Sequence, residues 1–179
     1  DVQRVTREYK AMQVAQTELA ARQAKANARI QRWLNMPYLS EDELKQLDDI
    51  EAKDPASRTA EETAKAKELS DKGMRLTAEI AALMQKSDKD LTDADKQRLR
   101  DAEAARSRIQ QRVEQIRDQE DTNLRDFGMS NQDRLTQAFR ASVKRIAEKR
   151  SVAIVFDAQV AIYAGIDVTD EVIKDLNSK

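Results

Sequence analysis

The side chains of this sequence that could do chemistry are carboxylates, guanidinium groups and amines, because the chain has no histidine and no cysteine. Without imidazole or thiol groups there is no Ser-His-Asp triad, no thiol nucleophile and no zinc finger. Carboxylates could hold Mg²⁺ or Ca²⁺, but their spacing contains no EF-hand loop. The three glycines are isolated, so no glycine-rich loop can cradle a phosphate. The sequence therefore predicts no enzyme, no catalytic residue, no cofactor and no metal site.

Charge is segregated along the chain. Residues 1–40 carry seven basic and three acidic side chains, a net charge of +4, and residues 41–103 carry twelve and eighteen, a net charge of −6. Residues 104–150 return to +4, and residues 151–179 carry −3. The fields of the two basic stretches would add if the stretches lay side by side. The overall charge of −1, with no interleaving of aromatic and basic residues, argues against nucleic-acid binding.

Arginines in the two basic stretches are the candidate binding residues. Their spacing of three, four or seven places several of them on one helical face. An inward surface of this kind would attract acidic clients or lipid phosphates. The alternative is an ordinary solvated face. The six candidates are Arg22, Arg29, Arg32, Arg106, Arg108 and Arg112.

The elements that must position these side chains are long helices. Only three glycines and two prolines occur, 36% of the residues are charged and 4% are aromatic, which argues against a β-sandwich or barrel. Good helix formers dominate. No apolar run reaches the roughly 18 residues of a membrane-spanning helix. No signal peptide is visible.

The first forty residues predict a coiled-coil helix that Pro37 ends. Its seam follows alternating spacings of three and four through Val2, Val5, Tyr9, Met12, Gln16, Leu19, Gln23, Ala26, Ile30 and Trp33. Trp33, Met36 and Tyr38 are interpreted as packing at a helix corner, with a client-binding apolar patch as the alternative.

Two further helices follow as an inserted pair within about residues 40–86. Ser40 with Glu43 and Thr59 with Glu62 have the spacing of capping boxes, in which two side chains satisfy backbone N–H groups at a helix start. Asp54-Pro55 separates the two helices. Gly73 is a weak point in the second of them.

Thr92 predicts the start of the next helix. A second seam runs through Leu99, Ala102, Arg106, Ile109, Val113, Ile116, Glu120, Leu124 and Phe127. Gly128 predicts a kink or bulge, after which the helix resumes to Lys149.

The closing residues change character. Residues 151–156 and 160–164 are β-branched and apolar, and they predict a β-hairpin closed by Gly165. Thr169 is expected to cap a short helix. Because a two-stranded hairpin is only marginally stable, we expect it to gain strands from other copies. The predicted oligomerisation residues are Val152, Ile154, Phe156, Val160, Ile162 and Tyr163.

This tail resembles the C-terminal signature of the Skp/OmpH family of periplasmic chaperones. The matching features are the apolar run from Val152 to Ala164, with its Tyr-Ala ending, and Asp167-Val-Thr-Asp-Glu-Val. The opening Asp1-Val-Gln-Arg-Val, with Tyr9-Lys10, is similar to the start of the family after its first strand. Three departures are the absence of that strand, the inserted helical pair, and Ser151 where the family often has glycine.

The resemblance implies a homotrimer in which a small β-body holds three helical arms around a cavity. Unfolded outer-membrane proteins would be held there without ATP, in the periplasm. The expected fold class is therefore mainly α with a small β-body. Residues 1–150 would form the helical arm and residues 151–179 part of the oligomerisation body. The alternative function is a coiled-coil structural or adaptor protein of the cell envelope that binds one folded partner.

Overall fold

The computed structural model describes residues 1–161 and 164–178, and within these ranges the chain is mainly helical, as predicted. The helices are α1 (Val2–Glu8), α2 (Lys10–Asn35), α3 (Glu41–Ala52), α4 (Ala60–Met84), α5 (Asp93–Lys149) and α6 (Thr169–Asn177). A short 3-10 helix, Pro55–Ser57, joins α3 to α4. Contacts divide the chain into a first unit, Asp1–Gln23 with Thr122–Lys179, and a second unit, Ala24–Asp121.

The predicted helix starts are confirmed at three places. At α3, Ser40 Oγ accepts from the Glu43 N–H at 3.2 Å, and the Glu43 carboxylate accepts from the Ser40 N–H at 3.1 Å. Thr59 and Glu62 make the same reciprocal pair at α4. Thr92 and Asp95 do so at α5. These starts are local because each pair lies within one turn of chain.

The core of the first unit joins α1, α2, α5 and α6. Its buried residues are Val5, Tyr9, Ala15, Leu135, Ile146, Val172 and Leu176. Phe139 and Val143 of α5 pack against them while remaining partly exposed. Burial of such side chains is worth about 1.5–3 kcal/mol each relative to exposure. The short helix α6 is therefore held mainly by Val172 and Leu176.

The second unit has three small apolar clusters in place of one large core. The largest contains Ile30, Trp33, Leu39, Leu44, Ile109, Val113 and Ile116. A second cluster joins α3 to α4 through Leu47, Ile50, Ala66 and Leu69. The third contains Ile80, Leu83 and Ala102. This unit is thus held together by several separate clusters between its helices.

Two predictions about helix continuity are wrong. The first seam does not lie on one unbroken helix, since the chain leaves the helical conformation at Tyr9, between α1 and α2. Ala15, and not Gln16, is then buried. Conversely, α5 passes through Gly128 without interruption. A lone glycine lowers helix stability by only about 1 kcal/mol, which the packing of the flanking turns can offset.

The predicted β-hairpin is also wrong for the described residues, because residues 151–161 contain no strand. Their backbone bonds are local: the Val152 N–H donates to Ala147 at 2.9 Å, and the Val160 N–H donates to Asp157 at 3.0 Å. A strand needs a neighbouring strand for its hydrogen bonds, and the described chain offers none. Ile162 and Tyr163 lie outside the described residues.

The start of α6 differs in detail from the prediction. Thr169 is the first helical residue, and Val168 precedes it without a side-chain cap. The Asp167 carboxylate accepts from the Thr169 N–H at 2.9 Å. Asp167 supplies the acceptor because an aspartate two residues earlier can fold back onto the backbone.

Candidate functional site

Arg29 and Arg32, two of the predicted binding residues, converge on the carboxylate of Asp48 in α3. Arg29 Nε lies 2.9 Å from Asp48 Oδ2, and Arg32 Nη1 donates to Asp48 Oδ1. Trp33 Nε1 also donates to Asp48, at 2.6 Å. Asp48 is 7% exposed and Trp33 is fully buried. The charge of Asp48 is thus compensated by two cations and an indole, as a buried carboxylate requires.

Arg29 extends this cluster to α5. Its Nη1 lies 2.8 Å from Glu120 Oε1. Burial lowers the pKa of Arg29, but the hydrogen bonds that its guanidinium donates to Asp48 and Glu120 outweigh that effect, and the pKa stands above its usual value. We call Arg29, Arg32, Trp33, Asp48 and Glu120 the Asp48 cluster. It fastens α3 of the inserted pair to α2 and α5.

Sequence reasoning did not identify Asp48. The signal is present, however, because Asp48 follows Leu44 by four residues and Leu47 by one, so it lies on the apolar stripe of α3. A carboxylate on such a stripe needs a buried partner. Arg29 and Arg32 of the neighbouring helix α2 supply that partner.

The other predicted arginines lie in different surroundings. Arg22, in the first unit, stacks on Phe127 with 4.1 Å between its guanidinium carbon and the ring centre. Arg112 donates to Gln115 at 2.7 Å, and its buried Nε has no partner among the described atoms. Arg106 and Arg108 are exposed and make no ion pair within the described part of the chain. Of the six predicted arginines, these two are the best placed to meet an anion from solution.

A second candidate surface is the segment that follows α5. Ile154 and Phe156 are each 66% exposed and Val160 is 73% exposed. Val155 and Ile166 are exposed as well, while Val152 is half-buried. We call Ile154, Val155, Phe156, Val160 and Ile166 the apolar segment. So many exposed large apolar side chains in a short stretch are typical of an interaction surface.

Three methionines present further apolar surface. Met74 and Met84 of α4 are more than half exposed, and Met129 of α5 is as well. Met36 is half-buried against Gly73, and Tyr38 is half-buried beside the third cluster. The fully buried Trp33 cannot contact a client directly. Methionine is flexible and polarisable, so it adapts to apolar partners of varied shape.

Two classes of site receive no support from residues 1–161 and 164–178. No group of three or more acidic side chains there is placed to share a metal ion. None of the helices in these ranges has the length and hydropathy needed to cross a bilayer.

Comparison with known proteins gave one match. The family profile described as "Outer membrane protein (OmpH-like)" matches residues 41–176. Neither the curated proteins nor the solved structures gave a significant match. The matched range includes α3, α4, α5 and the tail, and it confirms the resemblance that the closing residues indicate. Because the match covers more than half of the sequence, the chain belongs to the OmpH-like family of outer membrane proteins.

Proposed function

We propose that this chain is an ATP-independent holdase that binds unfolded outer-membrane proteins in the periplasm and prevents their aggregation. Family membership indicates an envelope chaperone of outer-membrane proteins and argues against an enzyme. The observation that carries the finer proposal is the exposure of the apolar segment, Ile154, Val155, Phe156, Val160 and Ile166. We infer that other copies of the chain cover this segment. Their association would bring several helical arms together, and the arms would bind the client.

Self-association is the first step of the proposal. The apolar segment has no cover within the described residues of its own chain. Packing the segment against its equivalents in further copies would remove these side chains from water, which is worth about 25 cal/mol per Å² of apolar surface buried. A homotrimer built on this segment would place Val152, Ile154, Phe156, Val160, Ile162 and Tyr163 in its interface.

Client binding is the second step. An unfolded β-barrel protein offers alternating apolar side chains together with acidic and basic groups. The exposed Met74, Met84 and Met129 would contact the apolar groups, and Arg106 and Arg108 would attract anionic groups of clients or lipid phosphates. Each contact is weak, and several arms would multiply them through effective concentration. The client would therefore stay mobile and could be released without ATP.

The test is the aggregation of a urea-denatured outer-membrane β-barrel protein on dilution, followed by light scattering. We expect suppression at one trimer per client. Replacement of Ile154 and Phe156 by Asp should abolish both the trimer, measured by chromatography with light scattering, and the suppression. Gln159→Asp adds one negative charge at an exposed polar position of the same stretch and should change neither.

The alternative is a coiled-coil adaptor that binds one folded partner, and the same experiment separates the two. A holdase suppresses aggregation of several unrelated unfolded proteins. An assembled protein that suppresses none of them would refute the holdase proposal and favour the adaptor.

A further inference from the structure

The break between α1 and α2 is unusual because its sequence contains no helix breaker. The surrounding residues, Arg7-Glu8-Tyr9-Lys10-Ala11, include no proline and no glycine. Tyr9 nevertheless has φ −78° and ψ 108°, which is extended backbone. The Tyr9 N–H still donates to Val5 at 2.9 Å, so α1 ends there and α2 begins at the next residue. Another part of the molecule must therefore stabilise the break.

Asn177, the last residue of α6, provides the hydrogen bonds that the break removes. The Lys10 N–H donates to Asn177 Oδ1 at 2.9 Å, and Asn177 Nδ2 donates to the Glu8 carbonyl at 2.9 Å. In an unbroken helix these backbone groups would bond to residues 6 and 12. One side-chain amide thus replaces both of them, as an acceptor and as a donor. Gln13 Nε2 satisfies the Arg7 carbonyl at 2.8 Å.

The break also decides which residues enter the core. In a continuous helix, Tyr9 and Ala15 would point about 120° apart, because each residue turns by about 100°. In the structure both are buried in the same cluster, while Gln16 is exposed. The break therefore shifts the apolar face by one residue and replaces a glutamine with an alanine in the core.

The position of Asn177 depends on the docking of α6. Val172 and Leu176 are buried against Val5, Tyr9 and Ile146. Ion pairs join Arg4 to Asp170, Arg145 to Asp175 and Arg150 to Glu171. Each of these ion pairs joins residues more than 20 positions apart along the chain. The break and the docking of α6 are thus one cooperative arrangement.

We propose that α6 is a releasable clamp on the α1–α2 break, with Asn177 as its positioning residue. While α6 is docked, Tyr9 is extended and Ala15 faces the core. When α6 undocks, the Lys10 N–H and the Glu8 carbonyl lose their partner. The good helix formers on both sides then close the helix across Tyr9, because intrahelical bonds satisfy both groups. The inference is independent of the proposed holdase function.

The first test is amide hydrogen exchange in the full chain. Val172→Ala loosens α6 without touching Asn177, and we expect exchange of the α6 amides to accelerate roughly tenfold. The Lys10 amide should accelerate much less, because the closed helix bonds it to Thr6 once Asn177 has left. Val14→Ala, at an exposed position, should accelerate neither. Equal acceleration of the α6 amides and the Lys10 amide would overturn the proposal, because it would show that the Lys10 N–H stays without a partner when α6 undocks.

The second test measures the backbone of Tyr9 directly. In the native protein its ¹³Cα secondary shift should be negative, as in extended backbone. Asn177→Leu keeps the size of the side chain but removes its hydrogen bonds, and the shift should change sign to a helical value. Asn27→Leu, at an exposed position with no side-chain hydrogen bond in the described structure, should leave the shift negative. A negative shift in Asn177→Leu would mean that the break is intrinsic to the α1–α2 sequence.

Discussion

Gly73 of α4 packs directly against the side chain of Met36. A Cβ atom placed on Gly73 would lie 2.9 Å from Met36 Cγ, closer than carbon atoms approach, and 3.2 Å from Met36 Cβ, which is a tight contact. The glycine that weakens α4 as an isolated helix therefore permits its close contact with the segment after α2. A Cβ atom placed on Gly128 of α5 would have no such neighbour within 4 Å.

These two glycines should respond oppositely to alanine. Gly73→Ala forces Met36 aside and should destabilise the protein by about 1–3 kcal/mol. Gly128→Ala meets open space in a helix interior and should stabilise by about 0.5–1 kcal/mol. Urea denaturation of both variants measures the difference. Equal signs would contradict the packing described for Met36.

The Asp48 cluster should be the most sensitive polar site of the second unit. Asp48→Asn leaves Arg29 and Arg32 without their shared buried carboxylate, and we expect a loss of about 3 kcal/mol. Trp33 is the only tryptophan, so its fluorescence reports this site without interference. Asp49→Asn, at the exposed neighbouring position, should cost less than about 0.5 kcal/mol and is the matched control.

Replacing Ser151 by glycine should increase the stability of the protein. Its φ of 55° lies in the left-handed region. Two hydrogen bonds close the end of α5 here: the Ser151 N–H donates to the Glu148 carbonyl at 3.1 Å, and the Val152 N–H donates to the Ala147 carbonyl at 2.9 Å. This is a Schellman motif, whose left-handed position favours glycine. Ser151→Gly should therefore stabilise by about 1 kcal/mol. Ser130→Gly, inside α5, should destabilise by a similar amount, and thermal unfolding of the pair measures both signs.

Acid should weaken the contact between α3 and α4 through Glu43. The hydrogen bond from Lys72, together with the bonds from Ser40, outweighs burial and lowers the pKa of Glu43 below its usual value of 4.5. A carboxyl group with a lowered pKa in the folded state stabilises above the pKa of the unfolded chain, and this contribution is lost as pH falls through the folded pKa.

The melting temperature should therefore fall as the pH is lowered from about 5.5 through 4.5 and below. Glu43→Gln should be less stable at pH 7 and show a shallower fall with acid. Glu41→Gln, at an exposed position of the same turn, should keep the slope of the parent protein. A parallel fall in the parent and Glu43→Gln would exclude Glu43 as the titrating group.

The unpaired arginines should contribute to client affinity if the holdase proposal holds. Replacing Arg106 and Arg108 by Gln should weaken binding of a denatured outer-membrane protein by roughly two- to fivefold per residue at low salt, and the difference should shrink as salt is added. Arg117→Gln removes an exposed arginine that pairs with Glu114 and should have a smaller effect. Fluorescence anisotropy of a labelled client measures the affinities.

Local signals in the sequence determined the helical elements. The capping boxes at Ser40 and Thr59 and the start at Thr92 are contained within single turns, so their residues alone specify them. The alternation of three and four residues likewise predicted burial of Ile30 and Val113. Family membership was also readable from the closing residues, because a short signature keeps its residue order.

Only the tertiary structure decided the features that depend on residues far apart in the chain. Asn177 stabilises a break next to Tyr9 that no local breaker predicts. Asp48 becomes a buried partner only because α3 packs beside Arg29 and Arg32. The β-branched residues 151–156 have strand propensity, yet they form no strand within the described chain. Propensity is local, whereas a strand, a helix break and a buried charge each need a partner that folding must supply.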